Sequence, residues 1–211
     1  MGATDGRYLK LADFKMYAIN GATVLNTADD LVLTSSILRA EAEIDGTTKT
    51  AFDEQTHTLV RPMTAFVDYH GWLHLFSRER APVTAVAAIQ TRDLLQDKGW
   101  VTTTWDTDDL ILPVAMDPPR PDSWHVMVLP SNNVPTRATT EMLVRWTYTG
   151  GYATIPPSLQ ALTMRLAWWV YKLREAPLAK IVTAELGLMQ IPLSIPPDIR
   201  ADLRHWSPMY S

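Results

Sequence analysis

The sequence contains no cysteine. That removes disulfides, thiol catalysis and cysteine-based zinc sites together, and it fits assembly in a reducing compartment such as a bacterial cytoplasm. Also missing is any apolar run approaching the roughly 18 to 20 residues of a membrane-spanning helix; the longest apolar-rich stretch, Leu166–Tyr171, is far shorter. Met1–Lys10 is polar and lacks the apolar centre of a secretory signal, so a soluble protein is expected. Positive charge is sparse and scattered, with 19 Lys and Arg against 23 Asp and Glu, a net charge of −4 and a pI of about 5.7. A surface that grips phosphates needs clustered cations. Tight nucleic-acid binding is therefore not expected, although DNA can pass along an acidic surface without sticking to it.

Catalytic signatures are absent too. There is no nucleophile elbow, phosphate-binding glycine loop or dinucleotide fingerprint, and Gly150-Gly151 after a strand pattern reads as a tight turn. His70 and His74 lie four apart on a hairpin pattern, where the period of two puts them on one face, but no third ligand is near. His57, His125 and His205 stand alone in the sequence. Asp106, Asp108 and Asp109 cluster, and Asp117 and Asp122 flank a proline-rich loop. That cluster lacks the glycine and the distal glutamate of an EF-hand and reads as a solvated turn. Neither enzymatic activity nor a cofactor nor a metal is expected.

What is present describes an ordinary globular protein: 211 residues, 46% apolar and 20% charged, enough for one sizeable domain or two small ones. Fifteen prolines and eight tryptophans stand out, tryptophan being favoured both in cores and at interfaces.

The pattern changes twice along the chain. Leu9, Leu11, Phe14 and Ala18 recur at helical spacing with Asp13 in the first turn, and Asn20-Gly21 ends that run. A second helix is expected from Ala28 to about Asp45, capped by Asn26 or Thr27 with Asp30 as capping-box acid, and stopped at Gly46. Leu31, Ser35, Leu38 and Ala42 mark one of its faces; Leu33, Ile37, Ala40 and Ile44 mark another. Two apolar faces imply cover from more than one side. From His57 to Tyr152 β-branched and aromatic residues dominate. Thr64–Tyr69 and Trp72–Phe76 around His70-Gly71 read as a hairpin. Further strands are expected over Pro82–Ile89, Trp100–Trp105, Leu110–Leu112, His125–Leu129 and Glu141–Tyr148. Short strands at near-regular spacing suggest a small sandwich or barrel. Ile155-Pro156-Pro157-Ser158 then opens a helix carried by Leu159, Leu162, Leu166, Trp169, Val170 and Leu173. A weaker helix over Leu178–Leu186, an extended Ile191–Pro197 and a short helix over Pro197–Trp206 complete the chain.

The expected class is α+β. N- and C-terminal helices form a bundle, and an antiparallel β-sandwich-like region is inserted between them. The boundaries expected are 1–55 for the first helices, 56–152 for the β insertion, 153–187 for the returning helices, and 188–211 for a proline-rich C-terminal arm.

Three stretches then resemble one family. Tyr8-Leu9-Lys10-Leu11-Ala12-Asp13-Phe14-Lys15 followed by Asp29–Ala42 is similar to the first two helices of the head–tail connector, or adaptor, proteins of tailed double-stranded DNA phages and gene transfer agents. Pro82-Val83-Thr84-Ala85-Val86 resembles the family's central proline–valine strand. Val144–Pro156, with Gly150-Gly151-Tyr152 before a proline and an amphipathic helix, resembles its strand–GGY–proline–helix junction. The β region is longer than in the minimal members, and so is the tail after Pro177.

The resemblance implies a structural virion protein at the head–tail interface. Its copies would form a ring, commonly dodecameric, beneath the portal protein. That ring would extend the DNA channel, pass double-stranded DNA without specific binding, and offer a platform to a downstream connector or tail-terminator protein. It implies that Leu188–Ser211 is the arm that docks on the portal, through Ile191, Leu193, Ile195, Ile199, Leu203, Trp206 and Tyr210. These apolar residues, with Met209, are many for a free tail, and an extended apolar segment suits a partner's groove; a tail wrapping its own domain is the alternative. Glu41, Glu43 and Asp45 are candidates to line the channel, because like charge keeps DNA from adhering; a solvated outer face explains them equally. Rival readings are a tail-terminator or tail-completion protein, a carbohydrate- or peptide-binding β module with Trp100, Trp105 and Trp124 as platform, and a hydrolase built on groups such as His125 and Asp108.

Overall fold

The computed structural model describes residues 5–19, 29–62, 67, 72–77, 79–95, 99–103, 110–112, 125–129, 142–175, 180–183, 187–190 and 195–207. The architecture is mixed α+β, and the described residues divide into two compact units: one from the residues up to 49 together with 155–207, the other from 50–154.

The first unit is built on α1 (Leu11–Ile19), α2 (Asp30–Thr48), α3 (Pro157–Glu175) and α4 (Pro197–His205). Helix α2 packs against all three others, with Leu33, Ile37, Ala40 and Ile44 fully buried on one face. It meets Leu159, Leu162, Leu166 and Val170 of α3 and Phe14 of α1 in one core. Asp29 stands at the N-cap of α2 without a side-chain cap bond; Asn26 and Thr27, the expected caps, lie outside the described residues. The helix also runs two residues past Gly46, its expected stop. Thr48 is buried and its hydroxyl donates to the Ile44 carbonyl at 2.9 Å, so the last turn is held by burial. The chain leaves through Lys49 in the left-handed region (φ 58°).

Where a weak helix was expected over Leu178–Leu186 the structure has an antiparallel pair, β8 (Lys180–Thr183) with β9 (Gly187–Gln190), in register from Lys180↔Gln190 to Thr183↔Gly187. Ile181, Val182 and Thr183 are three consecutive β-branched residues, stiff at χ1 and favoured in strands. Gly187 pairs with Thr183.

The second unit holds two antiparallel sheets. The larger has the order β1 (Gln55–Pro62), β7 (Met142–Gly150), β3 (Val83–Asp93), β4 (Val101–Thr103); the smaller has β2 (Leu73–Phe76), β6 (His125–Val128), β5 (Leu110–Ile111). One hydrophobic cluster draws on both: Leu59, Val83, Ile89, Val144, Trp146 and Tyr148 from the larger, Leu73, Leu75, Val126 and Val128 from the smaller. The expected strands correspond to β3 through β7. Strand β1 had no expectation, because Leu59 is its one buried residue and Thr56, Thr58 and Arg61 make it look like loop. Most of the expected hairpin lies outside the described residues; Val67 bridges Leu73, and β2 finds its partner in β6.

The excursion is closed at its root. Tyr152 N–H donates to the Phe52 carbonyl at 2.7 Å and Gly151 N–H to the Pro82 carbonyl at 2.8 Å. Gly151 sits at φ 100°, and a Cβ there would collide with the Asp53 carbonyl, so only glycine fits on both counts. Nearby, Ser77 Oγ lies 2.5 Å from the Arg80 carbonyl and 2.7 Å from Tyr148 Oη. Ser77 has one proton, which the carbonyl must receive, so Tyr148 donates to Ser77. Burial pushes the Tyr148 phenol up to about 12.

Two predictions follow from this root. Gly151→Ala should destabilise the protein by more than about 2 kcal/mol, from strain plus steric overlap, read by urea unfolding; a change below half that value contradicts the close approach. Because the folded phenol titrates above its unfolded value of 10.0, its contribution is complete below pH 10 and lost as the pH rises towards 12. Tyr148→Phe should cost about 1 kcal/mol at neutral pH and reduce the alkaline fall; an unchanged alkaline limb would reject the assignment.

Candidate functional site

The first chemistry on the chain is a clamp between the N-terminal segment and α2. Glu41 and Asp45 are four apart and so share a helix face. Glu41 is only 1% exposed. Its Oε1 accepts the Tyr8 backbone N–H at 2.7 Å and its Oε2 lies 3.7 Å from Arg7 Nε. Asp45 accepts from Arg7 Nη2 at 2.6 Å and from the Tyr8 hydroxyl at 2.5 Å. Gly6 passes so close that a Cβ would strike Glu41 and Ile37. Of the three candidates for a channel wall, Glu41 is buried and Asp45 half-buried, both in use as partners of the N-terminal segment. Glu43, two residues round the helix, is exposed. A like-signed triad at alternate positions is split by the 3.6-residue period.

The candidate arm divides as well. Ile199, Leu203 and Trp206 are buried and Ile195 is half-buried, while Ile191, Leu193 and Tyr210 lie outside the described residues. Helix α4 thus lays its apolar face on its own unit, against α2 and α3. Arg165 of α3 fixes it with a fork, Nη2 to Asp198 at 2.5 Å and Nη1 to Asp202 at 2.6 Å, and holds the Asp198 carboxyl below its ordinary value. The alternative in which the tail wraps its own domain describes α4.

The second unit brings together two histidines that sequence could not pair. His74 Nδ1 and His125 Nε2 are 2.9 Å apart, on β2 and β6, 51 residues apart in the chain. His125 also stacks on Phe76 with ring centroids 4.6 Å apart. One imidazole donates and the other accepts, so the contact needs at least one neutral ring. Only knowledge of the β2–β6 pairing would have found it. Among the described residues no three His, Asp or Glu side chains gather as a metal site. Trp100 carries the Arg145 guanidinium over its ring at 4.4 Å, so one face of that proposed sugar platform is taken; Trp105 and Trp124, and the Asp106–Asp109 cluster, lie outside the described residues. No described helix is long and apolar enough to cross a membrane.

The arrangement therefore offers clamps and buried networks, and the similarity of the whole fold becomes informative. The fold is shared with chains of a gene transfer agent particle. One solved structure, the neck of an empty gene transfer agent (GTA) particle computed with C6 symmetry, matches with a TM-score of 0.58 at 19% identity, over 100% of this chain and 95% of that one. The virion of the native particle matches with a TM-score of 0.58 at 20% identity, covering 100% and 95%. The neck of the native particle computed with C12 symmetry matches with a TM-score of 0.55 at 18% identity, covering 100% and 94%. No family model matches the sequence, and no curated protein matches it either.

Glu41→Ala should lower stability by about 2 kcal/mol, because it removes the buried acceptor of the Tyr8 backbone N–H, and should open the segment before α1 to protease. Measured by urea unfolding with limited proteolysis, an unchanged midpoint and cleavage pattern would show that the clamp holds nothing.

Proposed function

We propose that this chain is a head–tail adaptor, a structural subunit that forms a ring, commonly of twelve, beneath the portal protein of a phage-like particle. The observation that carries the reading is coverage: the likeness to chains of neck assemblies spans this whole chain and nearly all of theirs, so both units and their order in the chain are matched together. The described chemistry supports it by its content. The polar networks at Glu41, Arg80 and Arg165 each join parts of the fold to one another, as expected of a subunit whose work is to hold shape under load.

In this reading the ring continues the channel for double-stranded DNA, and a net charge of −4 lets DNA slide rather than bind. Glu43 is the candidate that faces solvent. The platform below receives a downstream connector or a tail-terminator. Portal docking falls to the C-terminal segment 188–211, anchored by α4, with Ile199, Leu203 and Trp206 serving as the anchor.

The test mixes purified protein with DNA-filled, tailless heads and images the portal vertex by electron microscopy. A ring of added density at that vertex is expected, and its rotational symmetry counts the subunits. Vertices left bare at saturating protein would overturn the adaptor reading.

A further inference from the structure

Helix α2 has a second apolar face that the described residues leave exposed. Opposite the buried Leu33, Ile37, Ala40 and Ile44, the residues at 31, 35, 38 and 42 are Leu, Ser, Leu and Ala, and all four are exposed. Leu31 is 61% and Leu38 47% exposed. Beside them an open groove of about 340 Å³ is lined by Leu31, Val32, Ser35, Ser36, Arg39 and Val170. The sequence pattern called for cover on both faces of this helix; among the described residues it is supplied on one.

We propose that this face is the lateral contact of the ring, occupied by a neighbouring copy of the same chain; the proposal rests on the adaptor reading above. Spacings of 4, 3 and 4 along 31, 35, 38 and 42 give a straight seam of the kind that receives a packed partner. The small Ser35 and Ala42 leave recesses between the leucines where a partner's side chains enter. Arg39 is the cation lining the groove, with the acidic Glu43 exposed four residues on, so the face has no array of cations to hold phosphates. Its chemistry suits protein. The structures that share the fold are assemblies with C6 and C12 symmetry, and a ring of more than two copies closes through heterologous contacts. The α2 face therefore meets a different surface of the next copy, not another α2 face.

The absence of cysteine makes the test clean. Leu38→Cys creates a unique thiol for a photoreactive maleimide, and the labelled protein is added to DNA-filled, tailless heads and illuminated. Expected is a covalent product of two chains, at about twice 23.7 kDa, with mass spectrometry placing the second attachment outside α2. A ring at the vertex whose label joins a different virion protein, or joins nothing, overturns the lateral assignment and leaves the adaptor reading standing. No ring at all overturns both. As a second arm, Leu31→Asp with Leu38→Asp changes exposed side chains, so the circular dichroism spectrum should be kept. Ring occupancy at fixed protein should fall by roughly tenfold or more, as for loss of an interface hot spot. Occupancy equal to the native protein's would sink the proposal.

Discussion

The unit formed by residues 50–154 depends on how a long excursion is closed. Tyr152 N–H and the Phe52 carbonyl are about a hundred residues apart in the chain and 2.7 Å apart in space. Bringing two such points together has an entropic cost that grows slowly with loop length, so the size of the insertion matters less than the quality of its root. Here the root is dense: Gly151 against Asp53, Arg80 Nη1 to the Asp53 carbonyl and Oδ1 at 2.8 Å each, and Ser77 between Arg80 and Tyr148. In the other unit, α2 and α3 pack against each other. The helical core then forms from segments more than a hundred residues apart.

That dependence explains which parts were legible in the sequence. Helix α3 was clear because Leu159, Leu162, Leu166 and Val170 repeat at one period after a proline start, and the structure buries all four. Strand β7 was clear because Val144, Trp146 and Tyr148 alternate with Arg145 and Thr147. Strand β1 was not, because an edge strand with a single buried side chain has no inside-outside contrast to read. The β8–β9 pair is hidden in sequence because Leu, Ala and Glu around it outweigh three β-branched residues in the local average. Pairings across long separations, such as His74 with His125 or Tyr8 with Asp45, leave no local signal at all.

The burial of the candidate residues has a related reason. Composition grouped Glu41, Glu43 and Asp45 as one acidic patch, but the helix turns Glu43 away from the other two. Similarly, the apolar content of the C-terminal segment suits either a partner's groove or cover by its own domain. Its residues 199, 203 and 206 fall at helical spacing, and a helix with one apolar face finds cover in its own unit first when α2 and α3 already offer it. An apolar residue is thus evidence for a partner only after intramolecular cover has been assigned.

Applied to α2, that rule has consequences for how a ring can assemble. Its inner face is spent on α1, α3 and α4, and its outer seam carries two large side chains, Leu31 and Leu38, between small ones. A contact of that size is weak between two free chains, since association must first offset lost translational and rotational freedom. Once copies are held side by side on a common platform, each neighbour is met at high effective concentration and the same contact suffices. Closure of the ring then gives every copy two neighbours instead of one, so the last subunit adds two contacts for a single loss of freedom. On the adaptor reading, a modest apolar seam would concentrate assembly at the platform, whereas a larger one would close rings in solution with nothing to sit on.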